Sequence, residues 1–189
     1  MATTVQDNLT TRRFSVDDYY RMQQAGILNE DDRVELIDGS VVALPRVTPL
    51  HAGTVNFLNH YVTGAASRAI RAVHNPIQLD RHNEPVPDVM LLHPRDDFYR
   101  KNHPTPADVF LLIEVADTTL NKDLHVKAPL YALHGVTEYW VIDLDGFQVH
   151  THRDPAPQGY RDISAASGAQ VIAPQAFPDH KLDLSKLFL

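Results

Sequence analysis

The sequence predicts a mixed α/β (α+β) fold, with a hairpin near its N-terminus. Three observations carry this. The run "VFLLIEVA" (109–116) is apolar except for Glu114, the pattern of a strand covered on both faces. Asp38-Gly39 and Asp145-Gly146 each join two strand-like arms, the signature of a tight hairpin. Helices and strands alternate in only part of the chain, unlike a doubly wound sheet. No GxGxxG and no GxxxxGK[ST] occurs, so phosphate-loop chemistry has no support.

Each element has a local reason. "FSVDDYYRMQQAGIL" reads as a helix capped by Ser15, with Asp17 and Asp18 in its first turn and Gly26 as its stop. "RVELIDGSVVAL" is the first hairpin. "PLHAGTVNFLNHYVTGAASRAIRA" (49–72) reads as the longest helix, because Val55, Leu58, Val62 and Ala66 or Ala69 recur at helical spacing. "VHNPIQLD" (73–80) is expected to be an edge or bulged strand, given its proline. "VPDVMLL" is a strand and 93–108 a polar loop. "DLHVKAPLYALHG" is a helix ending at Gly135. "TEYWVIDL", "FQVHTHR" and "GYRDIS" are strands, and the tail "KLDLSKLFL" is expected to pack an apolar edge on the body.

The chain has 189 residues, which suits one domain over 13–189 after a loose N-terminus at 1–12. Its net charge of −7 argues against a general nucleic-acid-coating protein but leaves room for a local basic groove. The absence of cysteine removes disulfides, thiolate metal sites and cysteine nucleophiles together. The first residues lack an apolar core and no run reaches the length of a membrane helix, so a cytoplasmic protein with no membrane partner is expected.

The chemistry concentrates on Asp88, Glu114 and Lys127. If the strands that carry Asp88 and Glu114 are neighbours, both carboxylates meet at one end of the sheet. Two such groups repel and need a positive partner. Mg²⁺, held by one or two carboxylates and water, is one partner, and a nearby lysine then orients a water or stabilises a cleaved phosphodiester. A structural arrangement, with Asp88 capping a turn and Glu114 paired with Lys127 or an arginine, meets the same need and is the commoner case. Glu35 alternates with Val34 and Leu36, which on its own reads as a solvent-facing strand position. His150 and His152 share a strand face, but no third metal ligand is evident. His51 opens the long helix and can approach a cleft; His60 and His74 read as solvated or core-edge residues. Arg46, Arg68, Arg71, Arg81, Arg95, Arg100 and Lys101 could meet phosphates, with Phe98 and Tyr99 as stacking groups, although each is more often plain surface. Tyr131, Tyr139 and Trp140 read as core.

The blocks "RVELIDGSVV", "HAGTVNFLN", "NPIQLD", "EPVPDVMLL" and "LLIEVADTTLNKDLHVKAPLYALHGVTEYWVIDL", in this order over residues 12–153, resemble the Uma-type family of bacterial proteins. That family is placed among endonucleases of the PD-(D/E)XK, restriction-endonuclease-like superfamily. The resemblance implies a restriction-endonuclease-like core, a mixed central β-sheet flanked by helices with an added N-terminal hairpin, and hydrolysis of phosphodiester bonds in DNA with Mg²⁺ (or Mn²⁺). It makes Asp88 and Glu114 metal ligands, with the Val115 carbonyl as a third, and Glu35 a further acid at the site. The superfamily's strand lysine falls here on Ala116, so the resemblance assigns that role to Lys127 on the following helix, with Lys122 as a rival. It also implies a homodimer. A catalytically silent nucleic-acid-binding protein, or a structural oligomer of the same fold, is the alternative. Pro129 is expected to displace Ala128 from helical geometry and to put Lys127 in a turn or at a kink.

Overall fold

Ser15 opens the first helix as its sequence predicts. In the computed structural model, which describes residues 11–29, 31–65 and 68–188, α1 spans Val16–Gln24. The Ser15 hydroxyl accepts the Asp18 N–H at 3.1 Å and the Asp18 carboxylate accepts the Ser15 N–H at 3.0 Å, a reciprocal capping box. Gly26, at φ +69°, follows its end. Of the stretch expected to be loose, residues 1–10 lie outside the described residues; 11 and 12 are exposed coil.

β1 (Val34–Ile37) and β2 (Ser40–Ala43) form the predicted hairpin. Asp38 and Gly39 both take positive φ, as a two-residue turn between twisted strands demands. A side chain at Gly39 would lie 2.5 Å from the Arg13 Cβ, so this position needs glycine for space as well as conformation. The hairpin stays outside the main sheet. It is pinned to the 82–86 loop by an exchange of backbone hydrogen bonds between Leu36 and Glu84 and by Gly39 N–H donating to His82.

α2 runs Pro49–Tyr61 from a Thr48 cap, followed by a 3₁₀ turn Val62–Ala65. The expected helix to residue 72 therefore stops short. Ile70–Val73 instead forms β3, an edge strand paired with β4 (Val89–Leu92). Strand pairing here outweighs a helical periodicity already weakened by Gly64. The strand expected at 73–80 is correspondingly displaced towards the N-terminus: His74 turns at φ +52° and Pro76 offers no N–H, so the chain leaves the sheet there. Ala66, one of the expected periodic positions, lies outside the described residues.

The main sheet adds β5 (Val109–Ala116), β6 (Glu138–Asp143), β7 (Gln148–Ala156) and β8 (Gly159–Ser167), in the order β3-β4-β5-β6-β7-β8. All neighbours are antiparallel except β5 and β6, which are parallel. Their crossover carries α3 (Leu120–Lys122), a π turn (Asp123–Lys127) and α4 (Ala128–Leu133). Gly135, at φ +80°, follows. Two short strands, β9 (Val171–Ile172) and β10 (Leu182–Asp183), pair in the C-terminal segment.

Strand alternation divides the core between the two faces. Leu111, Ile113 and Val115 pack with α2 residues Val55 and Leu58 and with Phe177, Leu182, Leu184 and Leu187 of the tail. Leu112 and Ala116 pack on the other face with Tyr131, Ala132, Tyr139 and Val141. The tail is fastened by a buried acid that its sequence did not single out. Glu138 is fully buried and accepts from Trp140 Nε1 (2.9 Å), from Arg153 Nε and a terminal nitrogen (2.8 and 2.6 Å), and from the Gln175 backbone N–H (2.6 Å). Removing one side of such a pair typically costs about 3–5 kcal/mol. Glu138→Ala is therefore expected to lower the melting temperature by roughly 10 °C, and thermal melting by circular dichroism checks it. A fall of less than about 2 °C would show that this anchor is not structural.

Candidate active site

The pairing of β4 with β5 ends at Val89↔Ile113. Beyond that point the Asp88 side chain takes the place of the next rung: its Oδ2 accepts the Val115 N–H at 2.7 Å. On the far side of β5, the Ala116 carbonyl accepts the Leu144 N–H at 3.0 Å. Backbone polar groups alternate sides along a strand, so the Val115 carbonyl turns with its N–H towards the frayed end of β4. Side-chain alternation sends Glu114 with Leu112 and Ala116 to the face covered by α4. The two acids thus reach the same end of the sheet for different reasons, one by capping a ladder and one by facing the crossover helices.

The crossover delivers the lysine. Ala128 donates to the Asp123 carbonyl five residues back, which defines the π turn. This wide turn precedes Pro129, whose ring in a regular helix would clash with the carbonyl one turn earlier. The expected displacement of Ala128 does not occur: φ −59°, ψ −49° is fully helical, and the wider turn resolves the clash instead. Lys127, the last residue of the wide turn, points into the protein with its side chain only 2% exposed. Its Nζ lies 2.9 Å from Glu114 Oε1 and 3.0 Å from Glu35 Oε2. Tyr131 OH, one turn on, donates to the same Glu114 oxygen at 3.0 Å.

Glu35 is the largest departure from local reading. It is fully buried rather than solvent-facing. Besides Lys127, it accepts from Lys122 Nζ at 3.1 Å and from the Val86 N–H at 3.2 Å, two residues before Asp88. Alternation correctly put Glu35 opposite Leu36, but the second face of this hairpin meets the crossover and not water. Glu35 does not line the site cavity.

That cavity holds about 280 Å³ and is lined by Asp88, Glu114, Val115, Lys122, Asp123 and Lys127, with the hairpin and the start of α2 closing it. His51 Nε2 lies 3.3 Å from Asp88 Oδ2 and His74 Nε2 lies 3.3 Å from Oδ1. His51 thus approaches the cleft as its place at the helix start allowed. His74 is a site residue that local sequence reading missed; only the left-handed turn after β3 brings it over. Asp117 also lines the cavity and accepts the Thr48 hydroxyl at 2.6 Å, tying α2 to the loop after β5.

The electrostatics are uneven. Burial alone would raise Asp88, but His51, His74 and the Val115 N–H outweigh it and hold the carboxyl well below the usual range. Burial likewise opposes ionisation of Glu35, and Lys127 and Lys122 reverse this. Glu114 is pushed up, chiefly by burial and then by the carboxylates of Asp123, Asp88 and Glu35, with Lys127 opposing. Lys127, among these acids, is held protonated despite its burial. The cavity is lined by Asp32, Asp88, Glu114, Asp117 and Asp123 against Arg33, Arg46, Lys122 and Lys127, and further positive charge between Asp88 and Glu114 would relieve their repulsion.

Among the described residues, no three His, Cys, Asp or Glu side chains gather as a ready cation cage. The residues that line the cavity still offer oxygens: the Asp88 carboxylate, the Val115 carbonyl that strand alternation turns to that side, and Glu114, whose Oε2 accepts from no described residue. Two carboxylates and a carbonyl, completed by water, fit a small hard cation. The His150/His152 pair does not join this site: His152 is buried beside Tyr139 and Tyr160. Of the basic residues flagged as phosphate contacts, Arg46 lines the cavity. Arg71 is tied to Asn59 and Thr63, and Arg95 stacks 3.8 Å over Tyr99.

The sequence profile of the family described as "Uma2: Putative restriction endonuclease" matches residues 16–185. Among solved structures, the chain is similar to one described as a "putative nuclease belonging to DUF820" from Anabaena variabilis ATCC 29413, with a TM-score of 0.70 at 15% identity, over 93% of this chain and 97% of that one. At that identity the likeness establishes the shared fold. No curated protein matches the chain. Among the described residues, no helix is long and apolar enough to cross a membrane.

Proposed function

This chain belongs to the Uma2 family, and from that premise we propose that it hydrolyses phosphodiester bonds in DNA with Mg²⁺ or Mn²⁺ as cofactor. The observation that carries the reading is the convergence of Asp88, Glu114 and Lys127 on one cavity at one end of the sheet. A purely structural ion pair would need Glu114 and Lys127 alone. Asp88 also has a structural use, as the cap of the Val115 N–H and the partner of His51 and His74, so what favours the hydrolase reading is that Asp88, Glu114 and Val115 line one cavity with Lys127.

Asp88, Glu114 Oε2 and the Val115 carbonyl would hold the cation. Bound there, it would supply Lewis-acid stabilisation of the charge that develops on the phosphate. Lys127 has three N–H donors and commits two, to Glu114 and Glu35, so the third is available to a water or a phosphate oxygen in the cavity. Lys127 would thus orient the attacking water, whose oxygen bonds to phosphorus as the P–O bond to the leaving strand breaks, while the water gives up a proton to solvent and the leaving oxygen takes one from it. Glu35, out of the cavity, acts as a positioning residue: it fixes both lysines and the chain entering Asp88.

The test is incubation of the purified protein with single-stranded, duplex and branched DNA in Mg²⁺, Mn²⁺ or EDTA, beside thermal melting in each. The expected result is fragments only with metal, and a melting temperature that climbs with metal concentration. A ligand at a hundred times its Kd adds about 2.7 kcal/mol, which is roughly 5–10 °C for a protein of this size. Neither fragments nor a shift at millimolar metal would remove the proposal.

A further inference from the structure

The site holds two lysines in unlike settings. Lys127 is sealed in, with two donors fixed on carboxylates. Lys122 is 25% exposed, lines the cavity and spends one donor on Glu35 Oε1. Its two remaining donors have no partner among the described residues. Glu35 does not rest on Lys122 alone, because its Oε2 keeps both Lys127 and the Val86 N–H.

The charge around the cavity points the same way. Arg33 and Arg46, at the two ends of the hairpin, line it with Lys122, and Arg33 is held in place by donating to the Pro45 carbonyl at 2.6 Å. Asp32 and Asp117 on this side accept the Asn29 N–H at 2.7 Å and the Thr48 hydroxyl but keep their charge, so it is the placement of the cations and not a net positive charge that counts. A chain of net charge −7 needs such a local cationic group to hold a polyanion.

Resting on the hydrolase reading above, we propose a division of labour: Lys122 is the substrate-side cation, which binds a non-bridging oxygen of a nucleic-acid phosphate, and Lys127, fixed on the two glutamates, keeps its remaining donor for the attacking water. A compact ammonium on a flexible stem suits this point contact. It can reach the phosphate while Glu35 stays paired.

The experiment measures binding of a fluorescein-labelled single strand and of its duplex in Ca²⁺ over a range of salt, for wild type, Lys122→Gln and Lys122→Arg. Gln keeps an N–H for Glu35 but loses the charge. It is expected to weaken binding about tenfold and to lower the slope of log K against log salt by about one phosphate contact. Arg is expected to restore binding to within about threefold, and all three proteins to melt within about 2 °C of one another. Gln binding like wild type with an unchanged slope overturns the proposal. So does a Gln variant that melts more than about 5 °C lower with no rescue by Arg, which would make Lys122 structural. If wild type itself binds neither DNA, the hydrolase reading falls too, a result distinct from the failure of Lys122 alone.

Discussion

Asp88→Asn is expected to reduce metal-dependent cleavage by roughly a thousandfold or more and to abolish the rise of melting temperature with Mn²⁺. The loss corresponds to about 4 kcal/mol of transition-state stabilisation, within what Lewis-acid catalysis supplies. Asparagine keeps a carbonyl oxygen for the Val115 N–H, so the frayed end of β4 stays in register. What it removes is the charge that faces His51, His74 and the cavity. The same variant has a pH signature independent of turnover. Asp88 is held below its unfolded value, so its contribution to stability is present above about pH 4. That contribution is lost as pH falls through the lower, folded value. The stability gap between wild type and Asp88→Asn should therefore be open at pH 5 to 7 and narrow in strong acid. Cleavage by the variant within about threefold of wild type would show that Asp88 is not at the reacting centre.

The elements that were legible in the sequence are those fixed by their own residues. β5 announces itself because eight apolar-rich residues have no other use than a doubly covered strand. Both Asp-Gly turns and the Ser15 cap are local chemistry. β3 was not legible, since Ile70–Val73 continues a helical period and becomes a strand only when β4 lies beside it. The site divides in the same way. Asp88 and Glu114 could be paired as soon as their strands were taken as neighbours. The burial of Glu35 could not, because alternation tells which residues share a face but not what that face meets. Pro129 signalled an irregular helix, yet the form of the irregularity depends on where Glu114 and Glu35 wait for the lysine. His74 needed a left-handed backbone turn that no neighbouring residue demands.

Lys127→Met tests the centre of the site through stability. The side chain is of similar length and apolar, so it fills the space of the lysine stem. Glu114 and Glu35 are then left buried, Glu35 with Lys122 and Glu114 with only the Tyr131 hydroxyl. Stripping one partner from a buried ionic cluster costs about 3–5 kcal/mol, so the variant should melt roughly 10 °C below wild type near neutral pH. Burial already pushes Glu114 up against the pull of Lys127. Without that pull it rises further, and Glu35 loses the larger of its two compensating charges. A carboxyl whose folded value is raised stabilises the fold fully below its unfolded value near pH 4 and loses that contribution as pH climbs through the folded value. The melting temperature of Lys127→Met, measured against wild type in the same buffers, should therefore recover as pH is lowered from 8 to 5. Differencing against wild type removes the contributions of His51 and Asp88, which both proteins share. A deficit that is flat with pH would mean that Lys127 contributes packing alone and that the two glutamates are neutralised by something other than its charge.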